Sequence, residues 1–572
     1  NPIIYFHNLK FDGEFILSFL MHNGFTQAFK KGKLGLADGD FIQKRFMRSH
    51  SFRYSISNRG QWYSITIKVG KKVIEIRDSL KLLPLSVKKI GQSFGTKHHK
   101  LDMEYVGYRY AGCEITEEEQ KYIANDVLVV KEALEFMFNE GHNKLTIGSC
   151  CLEEFKTITT KQIYDMQFPN MYDMSLDTNE HRYDSAGEWI RHSYKGGWCY
   201  LAKGKENRIF THGTTADVNS LYPSMMSSES GNVYPIGKPV FWTGNYIPDE
   251  AVGEHKYYFV RVKTRFYIKK NKLPFIQIKN SFLYQHNEYL ETSDYFVDGK
   301  YYRYLNKNGE KVDSIREYTM TCTDFKMLFK HYDVYDFEIL DGCYFRAYCG
   351  FFDSYINKYA EIKQQSKGAK RIIAKLFLNN LYGKMASNTD SSFKYAYVKE
   401  DKTIGFITIE EHDKKPGYIP VGSAITSYAR CFTIRAAQAN YHGVNKPGFC
   451  YADTDSIHCD LPPEKIVGIR VDPVNFCCWK LESCWDSALF IRQKTYAEHV
   501  VMENLEPVSS PEWEIKCAGM PENCKELFMQ SFKPYLAKLI EKGCLITYNN
   551  KLLTPDETEF LSTTRTITDF RV

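Results

Sequence analysis

A chain of 572 residues is too long for one hydrophobic core, so several domains are expected. Charged residues make up 25% and the net charge is +6, which permits nucleic-acid binding without establishing it, because the distribution of charge matters more than its sum. The 16 cysteines show no paired metal-ligand spacing, no apolar run approaches the length of a membrane helix, and no signal peptide opens the chain, which argues against a structural zinc, a membrane span and secretion by that route.

Taken in order, Ile3-Ile4-Tyr5-Phe6 reads as a short buried strand, followed by helical periodicity over 14–23. Asp12 stands between the two. It is either a helix N-cap or a carboxylate able to hold a metal at a sheet edge. Alternating patterns at 62–67 and 72–78 predict a meander. Over 116–139 a helix is expected, opened by a capping box of Thr116 and Glu119. Tyr122 and Asp126 share a face of it. Such a pair could orient a water for phosphodiester hydrolysis, although a surface hydrogen bond gives the same spacing. In Tyr194-Lys195-Gly196-Gly197, the twin glycines let the backbone approach either a phosphate chain or its own turn.

Residues 210–226 predict a strand ending in Asp217, a turn, and a short helix opening near Pro223. Residues 229–350 are β-rich and irregular, with the look of an insertion. The stretch 351–387 is strongly helical. Arg371, Lys375, Asn379 and Tyr382 fall on one face of it, and Ile372, Ile373, Leu376, Phe377 and Leu381 on the other. A solvated basic face is the ordinary meaning of such a stripe, but it also suits a triphosphate and a base. A hairpin-like insert follows at 388–420, then a helix over 423–438 carrying Thr426 and Arg430 on one face. Tyr451-Ala452-Asp453-Thr454-Asp455-Ser456-Ile457 reads as strand, turn, strand with two carboxylates at the tip. An acidic surface turn would give the same pattern, but paired acids among apolar residues also suit a divalent cation. Lys494-Thr495-Tyr496, Lys516 to Met520 and a polar tail with a helix at 525–541 complete the chain.

Asp217-Val218-Asn219-Ser220-Leu221-Tyr222-Pro223 resembles motif A of the family B DNA polymerases. Lys375 to Gly383 resembles motif B, Tyr451 to Ser456 motif C, and Lys494-Thr495-Tyr496 the Lys-x-Tyr element. The match is closer to the protein-primed branch, the replicases of small linear-genome bacteriophages and linear plasmids. It extends to Tyr194-Lys195-Gly196-Gly197, to Thr426 and Arg430, and to Lys516–Met520. The resemblance implies a mixed α/β, multi-domain chain with a ribonuclease H-like 3′–5′ exonuclease domain and a right-hand polymerase. The exonuclease-like domain would span 1–190, the palm 191–228 and 421–520, the fingers 351–385 and the thumb 521–572. Insertions would occupy 229–350 and 386–420, the positions of the branch's terminal-protein regions.

By the same resemblance, Asp217 and Asp455 would ligate two Mg²⁺ ions, with Mn²⁺ as a substitute, aided by the Val218 carbonyl and supported by Asp453. Tyr222 would exclude a 2′-hydroxyl. Lys363, Arg371 and Lys375 would meet the triphosphate, and Asn379 and Tyr382 the nascent pair. Tyr194, Gly196, Gly197, Ser220, Thr426, Arg430, Lys494 and Tyr496 would hold primer and template. Partners would be primer-template DNA, dNTP and a terminal protein at the first insertion. The second insertion would help encircle DNA for processivity and strand displacement. The setting would be a monomer, encoded by a virus or plasmid, in the cytoplasm of a bacterial host.

In the N-terminal third, Asn8 to Gly13 resembles the second exonuclease motif and Tyr122 to Asp126 the third, with Lys100 assisting. His7, Phe11 and Phe15 could line a single-strand path by stacking. The family's first motif, an Asp-x-Glu pair, should precede residue 1. The expectation is a chain that polymerises but degrades single strands poorly. The rival reading is an exonuclease or DNA-binding protein whose polymerase half is not catalytic.

Overall fold

The computed structural model describes residues 1–103, 110, 112–278, 288–293, 316–388, 391–411 and 416–517. The expected thumb, the helix at 525–541 and residues 518–520 lie outside them. The fold is mixed α/β and multi-domain. It forms two compact units, each built from separate stretches of chain: Asn1–Asn170 with Ser354–Ile419, and Met171–Asp353 with Pro420–Val572.

In the first unit, a five-stranded sheet runs in the order Ile3–Phe6, Lys72–Asp78, Trp62–Val69, Ser51–Ile56, Thr26–Gln27. Ile3–Phe6 pairs parallel with Lys72–Asp78, which sets Phe6 opposite Asp78. Ile3 and Ile4 are exposed, so the buried strand read from their hydrophobicity is an end strand of this sheet. Helix Leu9–His22 buries Leu9, Leu17 and Leu20. It starts five residues before the periodicity suggested, because Asn8 caps it from the left-handed region (φ 71°), and this places Asp12 inside the first turn. Gly13 is needed here, since a Cβ would come within 2.5 Å of the Trp62 ring.

The expected helix at 116–139 is observed as Glu117–Asn139 with its capping box complete. The helical stretch 351–387 divides into Asp353–Gln365 and Gly368–Met385, with Gly368 at φ 59° where they part. The second helix buries Ile373, Phe377, Leu378 and Leu381 and leaves Arg371, Lys375 and Asn379 exposed, as its pattern predicts. Ile372 and Leu376 are only half-buried. The hairpin Ser391–Val398/Ile404–Glu411 shares a core with the first sheet, where Phe393, Ala396 and Ile409 pack with Phe41, Tyr54 and Trp62. The Ala396 amide donates to the Tyr54 hydroxyl at 2.6 Å.

The second unit is organised on an antiparallel sheet in the order Glu506–Cys517, Thr495–Glu503, Trp479–Arg492, Gly213–Val218, Ser456–Cys459, Phe449–Asp453, Cys199–Leu201. Gly213–Val218 lies in the middle, flanked by Ser456–Cys459 and Trp479–Arg492. Tyr451, Trp485, Ala488 and Phe490 form a core against it. The stretch expected to be an insertion contributes a four-stranded sheet in the order Val233–Thr243, Tyr332–Cys349, Lys256–Ile268, Arg316–Thr321, and the helix Cys322–His331.

Candidate active site

Asp217 and the Asp453/Asp455 pair meet because of strand pairing. Phe449–Asp453 and Ser456–Cys459 form a hairpin whose two turn residues are Thr454 and Asp455. Thr454 takes φ 65°, an uncommon conformation for a β-branched residue, and the Asp455 amide donates to the Asp453 carbonyl at 2.7 Å. Such a tight turn must be held from outside. The Thr454 amide donates to the Trp198 carbonyl and its own carbonyl accepts from Thr433 Oγ1, both at 2.8 Å. Ser456 then pairs with both Asp217 and Asp453, and the Val218 amide donates to the Asp455 carbonyl at 2.8 Å. The three carboxylates thereby line one cavity of about 570 Å³, together with Lys480, Glu482 and Lys494.

Burial, then Asp455 and Glu482, push the Asp217 carboxyl up to about 7 against the opposing pull of Lys480. Burial also raises Asp455, with Asp453 and Glu482 adding to it. A pair of acids that resist ionisation together is what a divalent cation relieves. Asp453 is differently placed. Its Oδ1 accepts from Lys494 Nζ at 2.6 Å and its Oδ2 from the Tyr451 hydroxyl at 3.2 Å. The Lys494 amide in turn donates to Tyr451 OH at 2.8 Å. Burial works against the Lys494 ammonium, yet Cys199, Asp453 and Asp455 hold its pKa above the ordinary value.

The donor set fits a hard cation. Among the described residues no group of three or more His, Cys, Asp and Glu closes a metal shell by itself. Two carboxylates and a backbone carbonyl are what Mg²⁺ takes from a protein when substrate phosphates and water supply the rest. Among the other acids lining the cavity, Glu498 is committed elsewhere. It bonds His458 Nδ1 at 2.6 Å and Thr215 Oγ1 at 3.1 Å, and His458 Nε2 lies 3.1 Å from Ser456 Oγ.

Several expected contacts are placed differently. Thr426 and Arg430, expected to hold primer and template, are each 1% exposed. Thr426 Oγ1 donates to the Gly422 and Ser423 carbonyls. Arg430 donates to the Lys195 and Gly196 carbonyls at 2.7 and 3.0 Å and to Asp324 Oδ2 at 2.5 Å. Both side chains are therefore buried, Thr426 bonded within its own stretch and Arg430 to the 195–196 backbone and Asp324. Gly197 is required by Thr454, since a Cβ there would lie 2.6 Å from its Cγ2, whereas a Cβ on Gly196 would enter open space. Tyr194 and Tyr222 are half-buried, Ser220 takes φ 53° before helix Leu221–Met226, and Tyr496 packs its ring at an angle against Tyr451, Phe490 and His458. Lys480 and Glu482 lie outside the motifs, and Tyr451, the first residue of motif C, has no role of its own assigned from the sequence. The only sequence signal for the first two is their i,i+2 spacing on one strand face.

In the first unit, Lys100 Nζ donates to the Tyr122 hydroxyl at 2.6 Å and to Asp126 Oδ2 at 2.7 Å. Asp126 Oδ1 is buried without a partner among the described residues. The Asn8 amide donates to the buried Asp78 carboxylate at 3.0 Å, and His7 bonds Ser79 Oγ and the Leu85 carbonyl. Asp12 is half-buried. On Gly368–Met385, the Arg371 guanidinium donates to the Lys363 carbonyl at 2.7 Å, and Tyr382 is half-buried.

Comparison with known proteins adds a lineage to this geometry. The family described as DNA polymerase type B, organellar and viral, matches residues 1–112 and 108–464. The chain is 36% identical over 548 residues to the DNA polymerase of Bacillus phage phi29, covering 93% of this chain and 85% of that one. It is 30% identical over 529 residues to the DNA polymerase of Streptococcus phage Cp-1, covering 92% and 81%. The solved structure of phi29 DNA polymerase complexed with primer-template DNA and incoming nucleotide substrates is similar with a TM-score of 0.75 and 35% identity, covering 92% of this chain and 85% of that one. No helix among the described residues is long and apolar enough to cross a membrane.

Proposed function

This chain belongs to the organellar and viral type B DNA polymerases and is a DNA-directed DNA polymerase; from that premise we propose a template-directed nucleotidyl transfer centred on Asp217 and Asp455. The observation that carries it is the convergence of these two carboxylates, one at a strand end and one in a turn far along the chain, on one cavity. Asp217, Asp455 and the Val218 carbonyl would hold two Mg²⁺ ions, or Mn²⁺ in their place. Bound there, the metals would supply charge stabilisation at the attacking oxygen and the leaving pyrophosphate.

The protein's own groups do the positioning. Lys494 and Tyr451 hold the Asp453 carboxylate, which keeps the turn bearing Asp455 in place. Tyr222 lies under the incoming sugar and leaves no space for a 2′-hydroxyl. Lys363, Arg371 and Lys375 take the triphosphate, and Asn379 and Tyr382 the nascent pair. Ser220, Lys494, Tyr496 and the Tyr194–Gly197 stretch face primer and template. Arg430 acts through the Lys195–Gly196 loop it braces, and Thr426 through the helix that carries Arg430.

The acceptor is a primer 3′-hydroxyl or the hydroxyl of a terminal protein docked on the 229–350 insertion. The hairpin insertion assists strand displacement along a linear genome. In the first unit Asp12, Lys100, Tyr122 and Asp126 belong to a 3′–5′ exonuclease site, with Asn8 beside it. Primer extension on a primed template with Mg²⁺ and dNTPs, run beside Asp455→Ala, tests the polymerase mechanism. Unchanged incorporation by the variant refutes it. Incubation with a candidate terminal protein and labelled dATP tests the priming. No label on that protein removes the priming reading and leaves polymerisation standing.

A further inference from the structure

Lys480 sits directly across from Asp217 in the antiparallel pairing of Gly213–Val218 with Trp479–Arg492. Its ammonium lies between two carboxylates, 2.7 Å from Glu482 Oε1 and 3.6 Å from Asp217 Oδ1. Glu482 is two residues further along the same strand, hence on the same face. Of the other lysines lining the cavity, Lys494 is engaged with Asp453 and Lys516 with Glu514, each at 2.6 Å. Lys480 is thus the ammonium at the Asp217 side of the site, and it is held asymmetrically, close to Glu482 and loosely to Asp217.

An ammonium beside a carboxylate and a divalent cation on that carboxylate are alternatives, because like charges a few ångströms apart in a half-buried cavity repel. We propose that Lys480 is a positioning residue that competes with the divalent cation for Asp217, and that Glu482 is the tether that draws it aside. The pair then sets how tightly the site takes its metal. Without metal, Lys480 partly balances the charge of Asp217. When a cation arrives, the ammonium withdraws to Glu482, a partner it already holds. This rests on the reading in which Asp217 and Asp455 are the metal ligands.

Mn²⁺ alone, added to the full chain without DNA or nucleotide and followed by electron paramagnetic resonance of the free ion, tests the proposal. Lys480→Met, which keeps the aliphatic stem and removes the charge, is expected to bind Mn²⁺ about tenfold more tightly. Lys480→Arg, which keeps the charge, is expected to stay near wild type. Glu482→Gln frees the ammonium to settle on Asp217 and is expected to weaken Mn²⁺ binding several-fold. In the Lys480→Met background the same change is expected to have little effect. Unchanged or weaker binding by Lys480→Met overturns the proposal. So does a Glu482→Gln loss of equal size with and without Lys480, which makes Glu482 a direct ligand. An Asp455→Ala control separates the two levels. Wild-type binding that Asp455→Ala does not reduce overturns the metal reading itself. Asp455-dependent binding with no response to Lys480→Met overturns only the role of Lys480.

Discussion

Replacing Asp217 by Asn in the metal-free protein is expected to stabilise it at pH 8 and to do so only about a third as much at pH 5. The Asp217 carboxyl is raised from an ordinary 3.8 to about 7, first by burial and then by Asp455 and Glu482. A carboxyl with a raised folded pKa binds more protons folded than unfolded. Stability therefore falls as pH climbs from the unfolded value through the folded one, and the full penalty is present above about pH 7. A shift of about three units corresponds to roughly 4 kcal/mol at most. The Asp217 side chain keeps 22% exposure, and part of the penalty is shared with Asp455, so about 1–2 kcal/mol is the expected gain for Asp217→Asn. At pH 5, about one unit above the unfolded value, only about a third of the penalty is present, and the two proteins converge near pH 4. Urea unfolding in EDTA, followed by tryptophan fluorescence, measures this, since Trp479 and Trp485 lie on the strand facing Asp217. Mg²⁺ is expected to stabilise wild type at pH 8 and to have far less effect on the variant. An equal effect of the substitution at both pH values, or a loss of stability at pH 8, refutes the reasoning.

Asp455→Ala is expected to lower nucleotide incorporation by roughly 10³-fold or more, the rate equivalent of about 4 kcal/mol of lost transition-state stabilisation, as read by primer extension. Gly197→Ala forces a methyl to 2.6 Å from Thr454 Cγ2. The displaced turn is expected to cost about 10²-fold in kcat, with partial recovery in Gly197→Ala/Thr454→Ala. Arg430→Met leaves the Asp324 carboxylate buried and unpaired and is expected to cost about 3–5 kcal/mol in urea unfolding. The loss is expected to be smaller in Arg430→Met/Asp324→Asn, and an unchanged midpoint would show that the buried pair braces nothing.

The sequence by itself determined what depends on neighbours along the chain. The capping box at Thr116, the periodicity that leaves Arg371, Lys375 and Asn379 on one exposed face, and the strand–turn–strand around Asp453 and Asp455 are set by residues a few positions apart. Their motif order also carried the family. Local pattern misled where a residue's setting came from elsewhere. Ile3–Phe6 is apolar enough for a central strand yet sits at the end of the sheet order, and Asp12 falls inside a helix because Asn8 adopts a left-handed conformation.

Only the tertiary structure decided which distant groups meet. Arg430 looks from its helix face like a ligand-binding cation, but folding places Asp324 and the Gly196 carbonyl against it, and a buried guanidinium must satisfy its donors within the protein. Lys480 carries no motif at all. It acquires its place beside Asp217 from the register of two strands more than 250 residues apart, a long-range pairing that no local spacing encodes.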